Sequence, residues 1–150
     1  MFQPEGIIVA MLTPFHEDES INEPEIRNQV KRFIKAGIDG ILCLGTTGEF
    51  FALSFEEKLQ IMEIVKDEVG DKIPIFAGTG ATTTRESIAL TRQAKEIGYD
   101  CAAVITPYYA KSRQAELLKH YSQIADMVDI PLLIYNLPAM TGVHIHAQTI

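Results

Sequence analysis

The sequence predicts an α/β fold in which helices cover a parallel sheet. Five short apolar runs, each continuous rather than alternating, are typical of parallel strands that are buried on both faces. Between them lie stretches of helical length whose apolar residues recur at three- and four-residue spacing. The predicted strands are residues 6–12, 38–44, 73–77, 101–106 and 130–135. The predicted helices are residues 23–36, 54–69, 84–97 and 114–127.

Capping signals mark where these helices begin and end. Ser54 precedes Glu57 by three residues, which is the spacing of a capping box, and Thr83 with Glu86 repeats the arrangement before the third helix. A glycine follows each of the first three helices, where a left-handed residue can end the hydrogen-bonded ladder. These glycines are Gly37, Gly70 and Gly98.

The residues that introduce the strands follow a pattern that repeats every second strand. A Gly-x-Asp triplet introduces the second and fourth strands (residues 37–39 and 98–100), whereas Ile-Pro opens the third and fifth (residues 73–74 and 130–131). A β-α-β-α unit of about 60 residues suits a closed barrel, in which alternate strands contribute to different interior layers. An open doubly wound sheet is the alternative, but the Gly-Thr-Gly at residues 78–80 lacks the third glycine of a dinucleotide-binding turn.

The predicted strands are too few to close an eight-stranded barrel. Five parallel strands would leave two apolar edges exposed. Residues 146–150 look like the first turn of a further helix. We therefore expect residues 1–150 to be the N-terminal half of a single barrel domain, or a half-barrel that requires a partner half.

Composition excludes several classes of function. The chain is 47% hydrophobic and 22% charged, as in globular proteins. Its 13 Lys and Arg residues are outnumbered by 20 Asp and Glu residues, and the net charge of -7 makes a nucleic-acid partner unexpected. Residues 1–6 lack the basic and apolar regions of a signal peptide, and no apolar run is long enough to cross a membrane. We expect a cytoplasmic protein without membrane contact.

Cysteine and histidine give no pattern for a metal or another cofactor. Cys43 and Cys101 lie inside apolar runs, so we expect both to be buried, with a reactive thiol as the alternative. His144 and His146 would share one face of an extended segment, but no carboxylate or cysteine accompanies them at ligand spacing. The sequence therefore predicts no metal site and no cofactor.

Residues 45–49, Gly-Thr-Thr-Gly-Glu, carry the strongest functional signal. They follow the second strand and precede the second helix, which is where α/β proteins place their chemistry. The glycines allow a tight turn, while Thr46 and Thr47 offer hydroxyl and N–H groups to a small anion such as a carboxylate or phosphate. A plain strand-to-helix turn also favours Gly and Thr, and the segment alone leaves that alternative open.

Further hydroxyls are predicted at the same edge of the sheet. The carboxyl ends of parallel strands lie on one rim, which would carry Tyr108 and Tyr109 after the fourth strand and Tyr135 at the end of the fifth. These hydroxyls could pass a proton to one another within hydrogen-bond reach, although a tyrosine with a pKa of about 10 needs activation by its neighbours. Rim packing with a bonded hydroxyl is the alternative for each.

Three motifs together resemble the dihydrodipicolinate synthase and N-acetylneuraminate lyase family of pyruvate-dependent class I aldolases. They are Leu-Gly-Thr-Thr-Gly-Glu at residues 44–49, Thr-Pro-Tyr-Tyr at 106–109 and Tyr-Asn-Leu-Pro-Ala-Met-Thr-Gly at 135–142. The resemblance spans the whole chain in order. It implies a (β/α)8 TIM barrel, of which this chain supplies the first five strands and four helices, and a lysine that forms a Schiff base with pyruvate or another 2-oxo acid.

The resemblance also implies roles for individual residues. Thr47 would bind the pyruvate carboxylate through its hydroxyl and adjacent N–H groups, including that of Gly48, and Thr46 would join a proton relay. Tyr135 would be the general acid/base near the Schiff base. Tyr109 would reach across a dimer interface to complete the relay of the neighbouring subunit, which implies a homodimer or homotetramer.

Two features depart from the family pattern. Synthases that condense pyruvate with aspartate semialdehyde usually carry an arginine where this chain has Met140, and a thioether cannot replace a bidentate guanidinium. The Schiff-base lysine is also missing from the ends of the predicted strands. Lys111 is the only lysine expected on the catalytic rim, and its loop gives no buried pocket that would make it a nucleophile.

The leading hypothesis is therefore a lyase of the aldolase type that makes or cleaves a C–C bond between pyruvate and an aldehyde, with 2-keto-3-deoxy sugar acids as the substrate type. The isolated chain should be inactive because it lacks the lysine. One alternative is the 4-hydroxy-tetrahydrodipicolinate synthase of lysine biosynthesis. Another, of a different class, is a non-catalytic half-barrel that binds a small carboxylate.

Overall fold

A five-stranded parallel sheet with the strand order β1-β2-β3-β4-β5 forms the centre of the molecule. The computed structural model describes residues 3–150; residues 1 and 2 of the segment assessed above for a signal peptide lie outside them. The strands are β1 (Ile8–Ala10), β2 (Gly40–Cys43), β3 (Ile75–Gly78), β4 (Cys101–Ile105) and β5 (Leu132–Tyr135). The helices are α1 (Glu23–Ala36), α2 (Phe55–Val69), α3 (Thr84–Ile97), α4 (Gln114–Met127) and the short α5 (Pro138–Thr141).

The repeated Gly-x-Asp triplets have a structural explanation. The carboxylate of Asp39 accepts a hydrogen bond of 2.7 Å from the N–H of Ile7, just before β1. The carboxylate of Asp100 accepts one of 2.9 Å from the N–H of Ile75, at the start of β3. Each aspartate lies just before one strand and holds the start of the strand that precedes it in the sheet. The two triplets therefore help to set the register of β1 with β2 and of β3 with β4.

The four long helices lie where the sequence predicts them. Ser54 is the N-cap of α2 rather than its first helical residue, and both hydrogen bonds of its capping box with Glu57 are present, at 2.7 and 3.2 Å. Gly37, Gly70 and Gly98 end the first three helices at positive φ.

The predicted second capping box is wrong in one of its two bonds. Thr83 accepts a hydrogen bond from the N–H of Glu86, but the Glu86 carboxylate does not return one to Thr83. That carboxylate instead lies 3.9 Å from the ammonium of Lys58 on α2. The Glu86 carboxylate therefore faces the neighbouring helix and not its own N-cap.

Burial follows position in the sheet. All residues of β3 and β4 are buried, whereas the edge strands β1 and β5 are only partly covered. Both cysteines are buried and unpaired, as expected. Burial raises the pKa of Cys43 to about 12 and that of Cys101 to about 11, so neither thiol is reactive near neutral pH. In the described part of the chain, no helix is both long enough and apolar enough to span a bilayer.

Candidate active site

Residues 45–49 form a tight turn whose ends are conformationally unusual. The N–H of Gly48 donates to the carbonyl of Gly45 at 3.0 Å, and that of Glu49 donates to the carbonyl of Thr46 at 3.1 Å. The flanking residues Leu44 and Glu49 have φ values of 57° and 54°. This left-handed conformation is uncommon for residues other than glycine and is found mainly where surrounding structure enforces it.

Close backbone packing enforces the conformation at Leu44. A Cβ atom added to Gly78 on β3 would lie 1.9 Å from the carbonyl oxygen of Leu44. Leu44 is itself buried. Only glycine at position 78 lets the chain leave β2 along this path, so the start of the turn is fixed by the neighbouring strand.

The turn leaves hydrogen-bond donors unused. In the described part of the chain, neither the N–H of Thr46 nor that of Thr47 has an acceptor, and the Thr47 hydroxyl has no partner. Thr47 is exposed. Two successive free N–H groups beside a hydroxyl are a suitable arrangement for one end of a carboxylate. The N–H of Gly48 is not available in the same way, because it is bonded within the turn.

The hydroxyls of Thr46 and Tyr135 lie 3.1 Å apart, within hydrogen-bond distance. They come from the carboxyl ends of β2 and β5, between which β3 and β4 intervene. In a flat sheet three strand spacings would separate these ends by roughly 14 Å. The sheet must therefore curve so that its rim side chains converge, as they do in a barrel.

Two spaces adjoin this hydroxyl pair. Beneath it, the inner face of the sheet is packed and leaves only about 10 Å³ among Leu42, Leu44, Gly45, Phe50, Gly78, Gly80, Ala103, Ile105 and Tyr135. Beside it, a cleft of about 170 Å³ is lined by Thr46, Phe50, Phe51, Ile105, Tyr108, Met140 and Thr141. Met140 is 71% exposed. Met140 thus lies at a cleft next to the hydroxyl pair.

The two tyrosines after β4 behave differently. Tyr108 is half-buried, and its ring meets that of Phe50 edge to face, with centroids 5.7 Å apart. Burial and, secondarily, the negative charge of Glu86 raise the pKa of Tyr108. Tyr109 is 99% exposed at a φ of 75°, and it makes no hydrogen bond within the described residues. Within this chain, therefore, Tyr109 does not join the Thr46–Tyr135 pair.

Asn136 holds the segment that follows β5. Its side-chain oxygen accepts from the N–H of Ile145 and its amide nitrogen donates to the Ile145 carbonyl, both at 3.2 Å. The same amide nitrogen lies 3.2 Å from Nδ1 of His144. These contacts fold residues 137–144 into a closed loop, so the chain direction just beyond Tyr135 is fixed.

Two polar atoms in the described part of the chain are buried without a hydrogen-bond partner, Thr106 Oγ1 and His120 Nε2. Thr106 belongs to the second family-like motif, but its hydroxyl is enclosed rather than open to the cleft. Burial lowers the pKa of His120, whose Nδ1 lies 2.9 Å from the Thr84 hydroxyl. Across residues 3–150, no set of three or more His, Cys, Asp or Glu side chains is arranged to hold a metal ion.

In the described part of the chain, no lysine belongs to any of the five strands. Lys111 is exposed, as its loop position predicts. Lys58 is a surprise, because it is buried in the first turn of α2 and pairs with Glu86. Its burial was not predicted, since helical periodicity alone does not reveal which long polar side chain is enclosed by a neighbouring helix.

Sequence reasoning also missed two residues that shape the turn. Phe50 is buried and contacts both Tyr108 and Phe51 through its ring. Thr13, buried after β1, donates a hydrogen bond of 2.7 Å to the carbonyl of Gly48. Thr13 directly follows the first predicted strand, so the sequence places it on the predicted rim but gives no sign of this bond.

The curved parallel sheet, with hydroxyls and free N–H groups gathered at its carboxyl rim, defines a protein of the (β/α) barrel class. The sequence model of the dihydrodipicolinate synthetase family matches residues 3–150, and the chain belongs to this family. The family resemblance inferred from the three motifs is therefore confirmed. So is the fold class, an α/β TIM barrel of which this chain supplies the first five strands and four helices.

Individual relatives agree with this assignment. The 4-hydroxy-tetrahydrodipicolinate synthase of Methanopyrus kandleri is 42% identical over 149 residues, which are 99% of this chain and 50% of the relative. A chloride-inhibited dihydrodipicolinate synthase from Acinetobacter baumannii, solved in complex with pyruvate, superimposes with a TM-score of 0.94 at 42% identity, over 96% of this chain and 50% of its own. The protein CdNal from Clostridium difficile, solved with mannosamine, gives 0.95 at 35% identity, over 99% and 51%.

The chain spans about half the length of the curated relatives it matches. Five of the eight strands of a TIM barrel fall within that half.

Proposed function

We propose that the complete protein is a pyruvate-dependent aldolase and that residues 1–150 are the N-terminal half of its single barrel domain. The carrying observation is the 3.1 Å contact between the Thr46 and Tyr135 hydroxyls beside the free N–H groups of Thr46 and Thr47. A proton-conducting pair next to an anion site is what chemistry at the carbon beside a carboxylate requires.

In this proposal, the N–H groups of Thr46 and Thr47 and the Thr47 hydroxyl bind the pyruvate carboxylate. Gly48 contributes by allowing the turn rather than by donating its own N–H, which is already bonded to Gly45. A Cβ added to Gly48 would lie 3.1 Å from the carbonyl oxygen of Met11, a tight contact that a shift of a few tenths of an ångström would have to relieve.

A lysine on the remaining half of the protein would form the Schiff base. Its amine would add to the pyruvate carbonyl, water would leave, and the resulting iminium would accept the electron pair released when the methyl carbon loses a proton. Tyr135 would exchange that proton with Thr46. Because no lysine of the described residues lies on a strand and Lys111, in the loop after β4, is exposed, the isolated chain should not form the adduct.

The aldehyde partner has two candidates. The names of the relatives support 4-hydroxy-tetrahydrodipicolinate synthase, with aspartate semialdehyde as the aldehyde, over the 2-keto-3-deoxy sugar acid type favoured from the sequence. The exposed thioether of Met140 beside the cleft supports the second candidate, because it offers no charge to a semialdehyde carboxylate. Kinetic assay of the complete protein with aspartate semialdehyde and with 2-keto-3-deoxy acids separates the two.

Tyr109 supports a further part of the proposal, that the complete protein is a homodimer or homotetramer. A 99% exposed aromatic ring with left-handed backbone is costly on a free surface and is consistent with a ring that inserts into a neighbouring subunit. Sedimentation velocity of the complete protein gives the assembly state. A cytoplasmic location is also proposed, on the absence of signal-peptide features from residues 1–6.

The proposal is tested by trapping. The complete protein is incubated with pyruvate and borohydride, and a stable mass adduct is expected on a lysine outside residues 1–150. No adduct on the complete protein would refute the Schiff-base mechanism. An adduct on residues 1–150 would show that the nucleophile has been misplaced. Calorimetry with pyruvate distinguishes a non-catalytic carboxylate binder, which would bind without trapping.

A further inference from the structure

A buried hydrogen bond links β1 to the threonine turn. Thr13 lies three residues beyond β1, and its hydroxyl donates to the carbonyl of Gly48 at 2.7 Å. The segment around Thr13 is fixed on both sides: the N–H of Met11 donates to the Leu42 carbonyl at 3.0 Å, and the Pro14 carbonyl accepts from Asn22 at 2.9 Å. The donor is therefore held in place by contacts that are independent of the turn.

The bond from Thr13 is the first of a chain of hydrogen-bonded peptide groups. The Gly48 carbonyl belongs to the same planar peptide as the N–H of Glu49, which donates to the Thr46 carbonyl at 3.1 Å. The Thr46 carbonyl in turn shares a peptide with the N–H of Thr47, which is free. In a trans peptide the carbonyl and the N–H point in opposite directions, so each bond fixes the aim of the next N–H group.

We propose that Thr13 is a positioning residue for the carboxylate site, acting through the Gly48–Glu49 and Thr46–Thr47 peptides to aim and polarise the N–H of Thr47. Hydrogen bonds in series polarise one another, so the free N–H at the end of the series becomes a stronger donor. A donor that is aimed in advance also loses less freedom when the anion binds. This inference rests on the proposed pyruvate site.

The inference is tested on the complete protein by exchange of the pyruvate methyl protons, which needs no aldehyde substrate. In D2O the enamine takes up deuterium at the methyl carbon when the proton lost from the iminium is replaced by a deuteron, and NMR follows the exchange. The maximum exchange rate reports proton transfer, whereas the pyruvate concentration at half saturation reports binding.

The central variant is Thr13→Val, which keeps the side-chain volume and removes the donor. We expect half saturation to require about tenfold more pyruvate, the equivalent of one hydrogen bond, with the maximum rate within about twofold of the parent. Thr13→Ser keeps the hydroxyl and should restore the parent value. If Thr13→Val fails to fold, Thr13→Ala carries the same expectation.

A matched control separates positioning from general loss of a buried bond. The hydroxyl of Thr91 on α3, also buried, donates to that of Thr79 at 2.8 Å, and neither hydroxyl is hydrogen-bonded to residues 45–49 within the described residues. Thr91→Val should leave half saturation unchanged. The inference is overturned if Thr13→Val binds pyruvate like the parent, if Thr13→Ser fails to rescue, or if Thr91→Val has the same effect. Failure of the parent to exchange or bind pyruvate would instead refute the proposed function.

Discussion

The two loops that carry the candidate site's hydroxyls are restrained very differently. The turn at residues 45–49 is bonded internally, packed against Gly78 and joined to β1 through Thr13. The loop after β4 has a half-buried Tyr108, but its next residue, Tyr109, is almost fully exposed and unbonded within the described residues. The difference teaches that half a barrel is enough to fix the turn that carries the proposed anion site, whereas the described residues leave Tyr109 in the second loop without such restraints.

The largest effect is expected where the turn meets β3. Gly78→Ala would place a methyl group 1.9 Å from the Leu44 carbonyl oxygen, so we expect the complete protein to lose about 3 kcal/mol of unfolding free energy, measured by urea titration. Gly37→Ala is the control: it has no atom within 4 Å of the new carbon, so only its φ of 74° should cost about 1 kcal/mol. Equal losses in the two variants would contradict the close-packing argument.

The chemical role of the turn is tested next. Tyr135→Phe removes the partner of the Thr46 hydroxyl, and the maximum rate of pyruvate methyl exchange should fall about 100-fold while half saturation changes little. Tyr121→Phe is a matched control, because the Tyr121 hydroxyl is also bonded, to the carbonyl of Val104 at 3.1 Å, but lies on α4. A Tyr135→Phe enzyme that exchanged at the parental rate would exclude Tyr135 as the acid/base.

A smaller effect is expected on the pH dependence of the unfolding free energy, through Cys43 at the end of β2, just before the turn. The pKa of Cys43 rises from 9.0 to about 12 on burial, so the unfolded thiol ionises first and unfolding releases a proton. The stability gained by burying the neutral Cys43 thiol is fully present below about pH 9 and is lost as pH rises towards 12. Between pH 9 and 10, urea titration of the complete protein should show a decline that is shallower in Cys43→Ala, by at most about 1.4 kcal/mol per pH unit. Parallel curves for parent and variant would contradict the prediction.

The smallest effect on stability should come from the exposed loop. Tyr109→Ala removes a side chain without contacts in the described residues, so the unfolding free energy of the dissociated subunit should change by less than about 0.5 kcal/mol. If the Tyr109 ring completes the proton relay of a neighbouring subunit, sedimentation velocity of the variant should show weaker subunit association, and its pyruvate methyl exchange should slow. A strongly destabilised subunit would mean that the loop is restrained by its own chain after all.

Local sequence patterns predicted the helices well because the interactions that start and end a helix lie within a few residues of its ends. The bounds of α1, α3 and α4 match the predicted ranges, since helical periodicity and the flanking cap residues specify them. The Ser54–Glu57 capping box formed as predicted. The Thr83–Glu86 box did not form completely, and the Glu86 carboxylate lies instead 3.9 Å from the ammonium of Lys58, 28 residues earlier in the chain.

The candidate site was predicted in part. Parallel strands place Thr46 and Tyr135 on one rim whatever the details of packing, so their proximity could be anticipated. Their 3.1 Å separation depends on the curvature of the sheet, to which every strand between them contributes. The bond from Thr13 to Gly48 joins residues 35 positions apart and has no local signature.

The sequence by itself determined the parallel α/β architecture, the location of each strand to within about two residues at its carboxyl end, and the family motifs, because periodicity, capping and turn chemistry act over a few residues. Only the tertiary structure decided which donors remain free, which hydroxyls meet and which lysine is buried. Those outcomes depend on how strands curve and helices pack against one another, and such contacts join segments that are far apart in the chain.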